Sequence, residues 1–215
     1  MTTTFAAHIS GAERVVSESL VFLPGASGNR EFWKPVSTGL RHPGARRFVS
    51  WPGLGGAPME PGVRGIADLV ARVAREIAGP SVLLAQSMGG VVAVRVALEK
   101  PTLVRRLVLS VTSGGIDVAS LGAADWRPSF VENHPGLPSW FVDERQDLTA
   151  RIREITVPVL LLWGDADPIS PVAVGRRLAE LFPNSKLVVL AGGTHDLVLE
   201  RADEVIPHIE RHLAG

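Results

Sequence analysis

The residue type and the local setting of Ser87 suit a nucleophile. Residues 85–90 read Ala-Gln-Ser-Met-Gly-Gly, and they join an apolar run at 81–84 to a helix-like stretch at 91–98. A buried strand that turns sharply into a helix exposes the hydroxyl at the bend, and small flanking residues avoid collisions there. A serine at such a turn is also an ordinary helix N-cap, so the motif alone leaves both interpretations open.

The backbone N–H of Met88 adds an electrostatic argument. It lies at the N-terminus of the predicted helix, where unpaired donors and the helix dipole favour a developing negative charge. An acyl-transfer site needs such a donor beside its nucleophile. The geometry of the turn and its electrostatics therefore both favour Ser87 as a nucleophile.

Acidic residues and a histidine follow two further apolar runs. The run at 157–163 is followed by Gly-Asp-Ala-Asp-Pro, and the run at 186–190 by Ala-Gly-Gly-Thr-His, which ends at His195. In open α/β sheets, ligands bind beyond the carboxyl ends of the strands. Serine needs a histidine to take its proton, and an acid holds that imidazole in the required tautomer. A serine, an acid and a histidine thus occur in order at three predicted strand ends.

The runs that carry these residues belong to a regular alternation of short β-branched segments and helix-period segments. This alternation is typical of an α/β fold with a mostly parallel central sheet and helices on both faces. The segment up to Glu18 is compatible with one or two edge strands. Six strands are predicted, at 20–23, 47–50, 82–84, 107–111, 157–163 and 186–190.

Helices are predicted between these strands. Apolar residues recur at helical spacing over 66–77, and the helix after the serine ends before Pro101. A further helix is predicted over 171–181, with a proline in its first turn. We expect the last helix to begin late, because Pro207 lies near its start.

Composition predicts one globular domain over residues 1–215. The chain is 46% hydrophobic and 20% charged, and its 22 basic residues balance its 22 acidic residues. A net charge of zero indicates no nucleic-acid partner and no anionic membrane surface. The chain has no cysteine, no apolar run long enough to span a bilayer and no basic leader at Met1, so we expect a cytoplasmic protein.

The order serine, aspartate, histidine resembles the α/β-hydrolase fold family, and the resemblance runs from about Leu20 to the C-terminus. It implies that Ser87 is the nucleophile, Asp167 the acid and His195 the base. Asp165 lies on the same short loop and stays an alternative for the acid. The resemblance implies no cofactor.

The same resemblance implies an oxyanion hole formed by the backbone N–H groups of Ala26 and Met88. The sequence departs from the family at Ala85, where glycine is usual, and at Pro24, where the family usually has histidine. Proline removes the hydrogen bonds by which that histidine would steady the loop. Ser27 offers an additional hydroxyl donor, although a plain turn of small residues is the alternative.

The family inserts a cap over its active site, and here that region, at about 113–147, is short. Its many glycines and prolines make long helices unfavourable, so we expect a small lid or loop. A second subunit covering the cleft is the alternative, which makes a homo-oligomer compatible with the sequence. Ordinary core packing remains equally compatible with each aromatic residue of this region. The candidate pocket residues are Ser27, Trp126, Phe130, Trp140 and Phe141.

These features predict a serine hydrolase that cleaves carboxylic esters, with thioesters, lactones or activated amides as alternative substrates, and whose partner is a small-molecule substrate. Carbon–carbon hydrolases and lyases with the same triad stay open. A ligand-binding or receptor-like protein on the same fold is an alternative from another class. No metal site is predicted, because His208 and His212, although spaced i and i+4, do not follow the order found in zinc proteases.

Overall fold

A sheet of six parallel strands forms the centre of the protein. The computed structural model describes residues 17–143, 145 and 147–215. The strands are β1 (Ser19–Leu23), β2 (Arg46–Phe48), β3 (Ser81–Gln86), β4 (Val104–Ser110), β5 (Val159–Gly164) and β6 (Ser185–Leu190). They lie in the order β2-β1-β3-β4-β5-β6, and each neighbouring pair is parallel. This arrangement confirms the predicted α/β fold.

Helices cover the sheet. They are α1 (Lys34–Gly39), α2 (Ile66–Glu76), α3 (Met88–Glu99), α4 (Arg127–Asn133), α5 (Trp140–Asp143), α6 (Val172–Leu181), α7 (Leu197–Glu200) and α8 (Ala202–Ala214). Helix α2 packs against α3, and α1 packs against α8. Strands β3 and β5 are buried along their whole length, as expected for strands covered on both faces.

The chain leaves β1 and β3 in opposite directions. From β1 it moves to the edge strand β2, whereas from β3 it moves to β4 on the other side. Because crossovers between parallel strands are right-handed, the helices that follow β1 and β3 lie on opposite faces of the sheet. A crevice therefore opens between the carboxyl ends of these two strands, which is where open α/β sheets bind ligands.

The observed elements differ from the predicted ones mainly at their ends. Strand β4 begins at Val104 instead of 107 and ends before Val111, whose φ of 42° is incompatible with a strand. The possible edge strands before Glu18 fall largely outside the described residues.

The prediction that the last helix begins late is wrong. Helix α8 already begins at Ala202 and continues through Pro207. Val205 and Ile209, on either side of the proline, are fully buried. Their packing holds both turns against the core, and it outweighs the one backbone hydrogen bond that proline cannot donate.

The described residues of the segment at 113–147 form only short elements. These are the helices α4 and α5 and a 3-10 turn over Ala119–Leu121. Phe141 is buried, whereas most of α4 is partly or fully exposed. Among the described residues, no helix combines the length and the apolar character needed to span a membrane.

His212 fastens the end of α8 to the start of β4. Its backbone carbonyl accepts a hydrogen bond of 3.0 Å from Arg106 Nε, and Arg106 also pairs with Glu18. Burial, and then the positive charge of Arg106, lower the pKa of the His212 imidazole to about 4. The histidine is therefore neutral in the folded protein at pH 7.

Acidification should destabilise the protein through His212. An unfolded histidine has a pKa of about 6.5. Between that pH and about 4, the unfolded chain thus binds a proton that the folded protein does not, and stability falls as the pH falls. We expect His212→Leu to remove on the order of 1 to 2 kcal/mol of this loss, because the imidazole is only partly buried. Urea denaturation between pH 7 and pH 4 measures it, and parallel curves for both proteins would contradict the assignment.

Candidate active site

Ser87 occupies a strained turn between β3 and α3. Its φ is 52° and its ψ is −123°, a conformation that residues with a side chain rarely adopt. The turn is held by its neighbours, since Ser87 N donates to Ser110 O at 3.0 Å and Thr112 Oγ1 donates to Ser87 O at 2.6 Å. The strand-to-helix turn that the sequence predicted is present, and Ser87 stands on its bend.

Close backbone packing explains the small residues around this turn. A Cβ atom on Gly89 would lie 2.4 Å from the carbonyl oxygen of Pro24, and one on Gly25 would lie 2.1 Å from Gln86 Oε1. Ala85, which stands where the family usually has glycine, is fully buried within β3. The turn therefore accommodates alanine at that position. Gly89 has no room for a side chain, and a side chain on Gly25 would have to displace that of Gln86.

A chain of hydrogen bonds joins the three residues predicted to be catalytic. His195 Nε2 lies 2.9 Å from Ser87 Oγ, and His195 Nδ1 lies 2.7 Å from Asp167 Oδ2. The Asp167 side chain is completely buried, and its other oxygen accepts a hydrogen bond of 2.8 Å from Ile169 N. A carboxylate at Nδ1 favours the tautomer with its proton there, which leaves Nε2 free to accept the serine proton.

The alternative acid, Asp165, lies elsewhere on the same loop. It is exposed, and its Oδ1 accepts a hydrogen bond of 2.5 Å from Gly192 N. That contact ties the loop after β5 to the loop after β6. The geometry thus brings Asp167, and not Asp165, to His195.

Two indole groups steady the loop after β1. Trp51 Nε1 donates to Gly25 O at 2.8 Å and to Pro24 O at 3.3 Å, and Trp33 Nε1 donates to Leu23 O at 3.0 Å. Both tryptophans are buried. Three successive carbonyl groups are therefore fixed, although the histidine usual in the family is absent.

The N–H groups predicted for the oxyanion hole lie on this loop and on the serine turn. Among the described residues, Ala26 N has no hydrogen-bond acceptor. Met88 is the first residue of α3, where N–H groups have no partner within the helix. Ala26 and Met88 both line cavities that reach Ser87.

Residues that the sequence analysis did not single out also shape the site. Gln86 is buried, and its Nε2 donates to the backbone carbonyl of His195 at 3.1 Å. Asp196 lies beside His195, and burial above all raises the pKa of its carboxyl group. Only the position of Gln86 next to the serine could have indicated its role, because the contact with His195 spans 109 residues.

Two cavities meet at the serine turn. One has a volume of about 370 Å³ and the other about 610 Å³, and both are lined by Ser87, Trp126, Ile169 and His195. Of the predicted pocket residues, Ser27 and Phe130 line the smaller cavity, Phe141 lines the larger one, and Trp126 lines both.

Trp140 is the one predicted pocket residue that lines neither of these cavities. It packs against Phe141, with 5.4 Å between the ring centroids. Its indole nitrogen is buried without a hydrogen-bond partner. No group of three or more potential metal ligands occurs among the described residues.

The chain is similar in sequence to known proteins. Residues 20–208 match the sequence profile of the alpha/beta hydrolase family. A pimeloyl-[acyl-carrier protein] methyl ester esterase of Legionella pneumophila is 23% identical over 230 aligned positions, which cover 90% of this chain and 94% of that protein. A non-heme chloroperoxidase of Kitasatospora aureofaciens is 32% identical over 59 residues, which span 27% of this chain and only 22% of that protein.

Solved structures have the same fold. A thermophilic esterase from Thermogutta terrifontis superposes with a TM-score of 0.76 at 21% identity, covering 93% of this chain and 90% of that one. Identity at this level shows a shared fold alone.

Gly89→Ala should destabilise the protein. The new Cβ would meet a backbone oxygen at 2.4 Å, so the end of β1 or the start of α3 must shift. We expect a loss of about 1 to 3 kcal/mol in the free energy of unfolding, which exceeds the gain in helix propensity. Urea denaturation measures the change. Gly79→Ala is the matched control, because nothing lies within 4 Å of its added Cβ, and equal stability of the two variants would contradict the close packing.

Proposed function

Because the chain belongs to the alpha/beta hydrolase family, we propose that it is a serine hydrolase that cleaves carboxylic esters through an acyl-enzyme. The observation that carries this proposal is the chain of hydrogen bonds from Ser87 through His195 to the buried Asp167. The esterase among its relatives supports the same class of substrate.

In the first half-reaction, Ser87 Oγ attacks the acyl carbonyl carbon while His195 Nε2 takes the serine proton. The negative charge of the tetrahedral intermediate develops on the carbonyl oxygen. We assign its stabilisation to the N–H groups of Ala26 and Met88, since unpaired donors at a fixed loop and a helix N-terminus favour such a charge. The intermediate then expels the alcohol, which takes the proton from His195.

In the second half-reaction, water attacks the acyl-enzyme and gives its proton to His195. Collapse of the second tetrahedral intermediate releases the carboxylic acid and returns the proton to Ser87 Oγ. Throughout, the Asp167 carboxylate holds the imidazole by its Nδ1–H and stabilises the imidazolium that forms. Gln86 holds the backbone of His195 through the hydrogen bond to its carbonyl group.

Substitutions of Ser87, His195 and Asp167 test their proposed catalytic roles. We expect Ser87→Ala and His195→Ala to lower kcat for a p-nitrophenyl ester by about 10⁴-fold or more, and Asp167→Asn by about 10³- to 10⁴-fold. Asp165→Asn is the matched control on the same loop, and its kcat should stay close to that of the unchanged protein. Equal losses in the two asparagine variants would contradict the assignment of Asp167.

A fluorophosphonate tests the activation of the serine independently of substrate choice. The reagent should phosphonylate Ser87 Oγ with loss of fluoride, and intact-protein mass spectrometry should show one adduct that is absent in Ser87→Ala. A folded protein with neither adduct nor ester turnover would contradict the hydrolase proposal and favour a ligand-binding role for the two cavities.

A further inference from the structure

A side chain from the end of the neighbouring strand holds the carbonyl group of Ser87. Thr112 follows β4 by two residues and is 1% exposed. Its Oγ1 lies 2.6 Å from Ser87 O and 3.0 Å from Gly114 N. A carbonyl oxygen can only accept and a backbone N–H can only donate, so the hydroxyl accepts from Gly114 and gives its one proton to Ser87. The hydroxyl group is therefore fully used by these two contacts to the backbone.

The carbonyl of Ser87 and the N–H of Met88 belong to one peptide group. This peptide group is trans, so it is planar, and its C=O and N–H bonds point in opposite directions. A contact that fixes the direction of the carbonyl also fixes the direction of the N–H. The N–H of Met88 is one of the two donors to which we assign the stabilisation of the tetrahedral intermediate.

This peptide group needs a restraint because the dihedral angle that rotates it is strained. Rotation in ψ of Ser87, which is −123° at a φ of 52°, swings the carbonyl and the following N–H about the Cα–C bond. Strained dihedrals persist only where the surrounding structure holds them. The hydrogen bond from Thr112 opposes a relaxation that would turn the Met88 N–H out of its present direction.

Gly90 holds the same carbonyl from within the helix. Its N–H donates to Ser87 O at 2.9 Å. Gly90 and Met88 belong to the same helical turn, so this bond alone does not fix the turn relative to the sheet. Thr112 does so, because the preceding residue is tied to β5 through a hydrogen bond of 3.1 Å from Val111 N to Leu162 O.

Two costly backbone features bring Thr112 to this position. Val111 has a φ of 42°, which is rare for a β-branched residue. A Cβ on Gly90 would lie 2.4 Å from Thr112 Oγ1 and 2.6 Å from Thr112 Cβ, so a side chain there would displace the threonine. A strained valine and a glycine inside a helix both reduce stability. Both occur where Thr112 meets Ser87.

On the basis of the proposed function, we propose that Thr112 is the positioning residue of the oxyanion hole. Its hydroxyl holds the Ser87 carbonyl and thereby directs the N–H of Met88 towards the oxygen of the tetrahedral intermediate. Thr112 lines neither cavity at the serine. It acts through one peptide group, and its contribution arises as the negative charge develops.

Thr112→Val tests the role of the hydroxyl, because valine keeps the shape of the side chain and removes the donor. We expect kcat for a p-nitrophenyl ester to fall about 10- to 100-fold, less than for loss of a whole oxyanion donor, since Gly90 still holds the carbonyl. KM should stay within about twofold, because the lost interaction belongs to the transition state. Thr112→Ser keeps the hydroxyl and should retain kcat within about threefold. An unchanged kcat in Thr112→Val overturns the inference.

Ser81→Ala is the matched control for the loss of a buried hydroxyl. Ser81 is 2% exposed, and its Oγ donates to Gly79 O at 2.9 Å at the opposite end of β3. Thr112→Val and Ser81→Ala should both lose stability in urea denaturation, but Ser81→Ala should keep kcat within about twofold, since the two sites are independent. Equal losses of kcat in the two variants overturn the inference.

Thr112→Cys takes the place of Thr112→Val should the valine variant fail to fold. A thiol is a weak donor, so kcat should fall by about three- to tenfold. A kcat equal to that of Thr112→Ser overturns the inference.

A pair of inhibitors tests the direction of the N–H without turnover. Ser87 Oγ adds to the carbonyl carbon of a trifluoromethyl ketone, the serine proton passes to His195, and the carbonyl oxygen becomes an oxyanion. The methyl ketone of the same chain serves as the analogue that binds without this addition. Thr112→Val should raise Ki for the trifluoromethyl ketone by the factor by which it lowers kcat/KM, and leave Ki for the methyl ketone within about twofold. Equal changes in the two Ki values overturn the inference.

The unchanged protein separates this inference from the proposed function. Ester turnover and fluorophosphonate labelling of Ser87, together with an unaltered ratio of the two Ki values in Thr112→Val, would overturn the role of Thr112 alone. Absence of both label and turnover in the unchanged protein would overturn the proposed function, and the role of Thr112 with it.

Discussion

The backbone at Ser87 is held in a conformation that costs on the order of 1 to 3 kcal/mol for a residue with a side chain. Hydrogen bonds from the neighbouring strand offset this cost. Ser110 and Thr112, at the end of the neighbouring strand, hydrogen-bond the N–H and the carbonyl of the strained residue. Near the serine, β3 and β4 are buried and pair regularly from Leu83 with Leu107 to Gln86 with Ser110, which fixes the position of these contacts.

The tight packing around Ser87 extends to the loop after β1. A Cβ on Gly25 would displace the side chain of Gln86, and one on Gly89 would meet the backbone oxygen of Pro24. The loop and the serine turn are therefore fitted to each other at Gly89, backbone against backbone. Trp51 and Trp33 fix the carbonyl groups on the outer side of the loop. Two buried indoles therefore hold this loop, which has Pro24 where the family resemblance leads us to expect a histidine.

The charged residues near the serine differ in their burial. Asp167 is completely buried, and its two oxygens accept from His195 and from the backbone of Ile169. These hydrogen bonds to both oxygens offset the cost of burying the carboxyl group and fix its position against the imidazole. The charged groups near the larger cavity, in contrast, are exposed and satisfied locally, as in the pair of Asp125 and Arg127.

The local pattern of apolar residues was sufficient to predict much of the fold. Apolar runs of strand length, separated by helix-period segments, determine an α/β sheet, because each run can be buried only between two layers of helices. The serine turn was also readable, since small residues between a buried strand and a helix have a direct steric cause. The prediction at Pro207 was wrong because the helix continues through the proline. Burial of Val205 and Ile209 stabilises it there, and local helix propensity carries no information about burial.

Only tertiary structure decided which residues meet. The sequence favoured Asp167 as the acid and left Asp165 open, and the turn after β5 determines that Asp167 is the one that contacts His195. Trp51 and Gln86 act through contacts that span 26 and 109 residues, so no local pattern identifies their partners. The sequence by itself determined the layered sheet and the types of reactive group at its strand ends, because periodicity and residue chemistry are local. The pairing of those groups and the shape of the two cavities depend on long-range packing, which only the folded chain establishes.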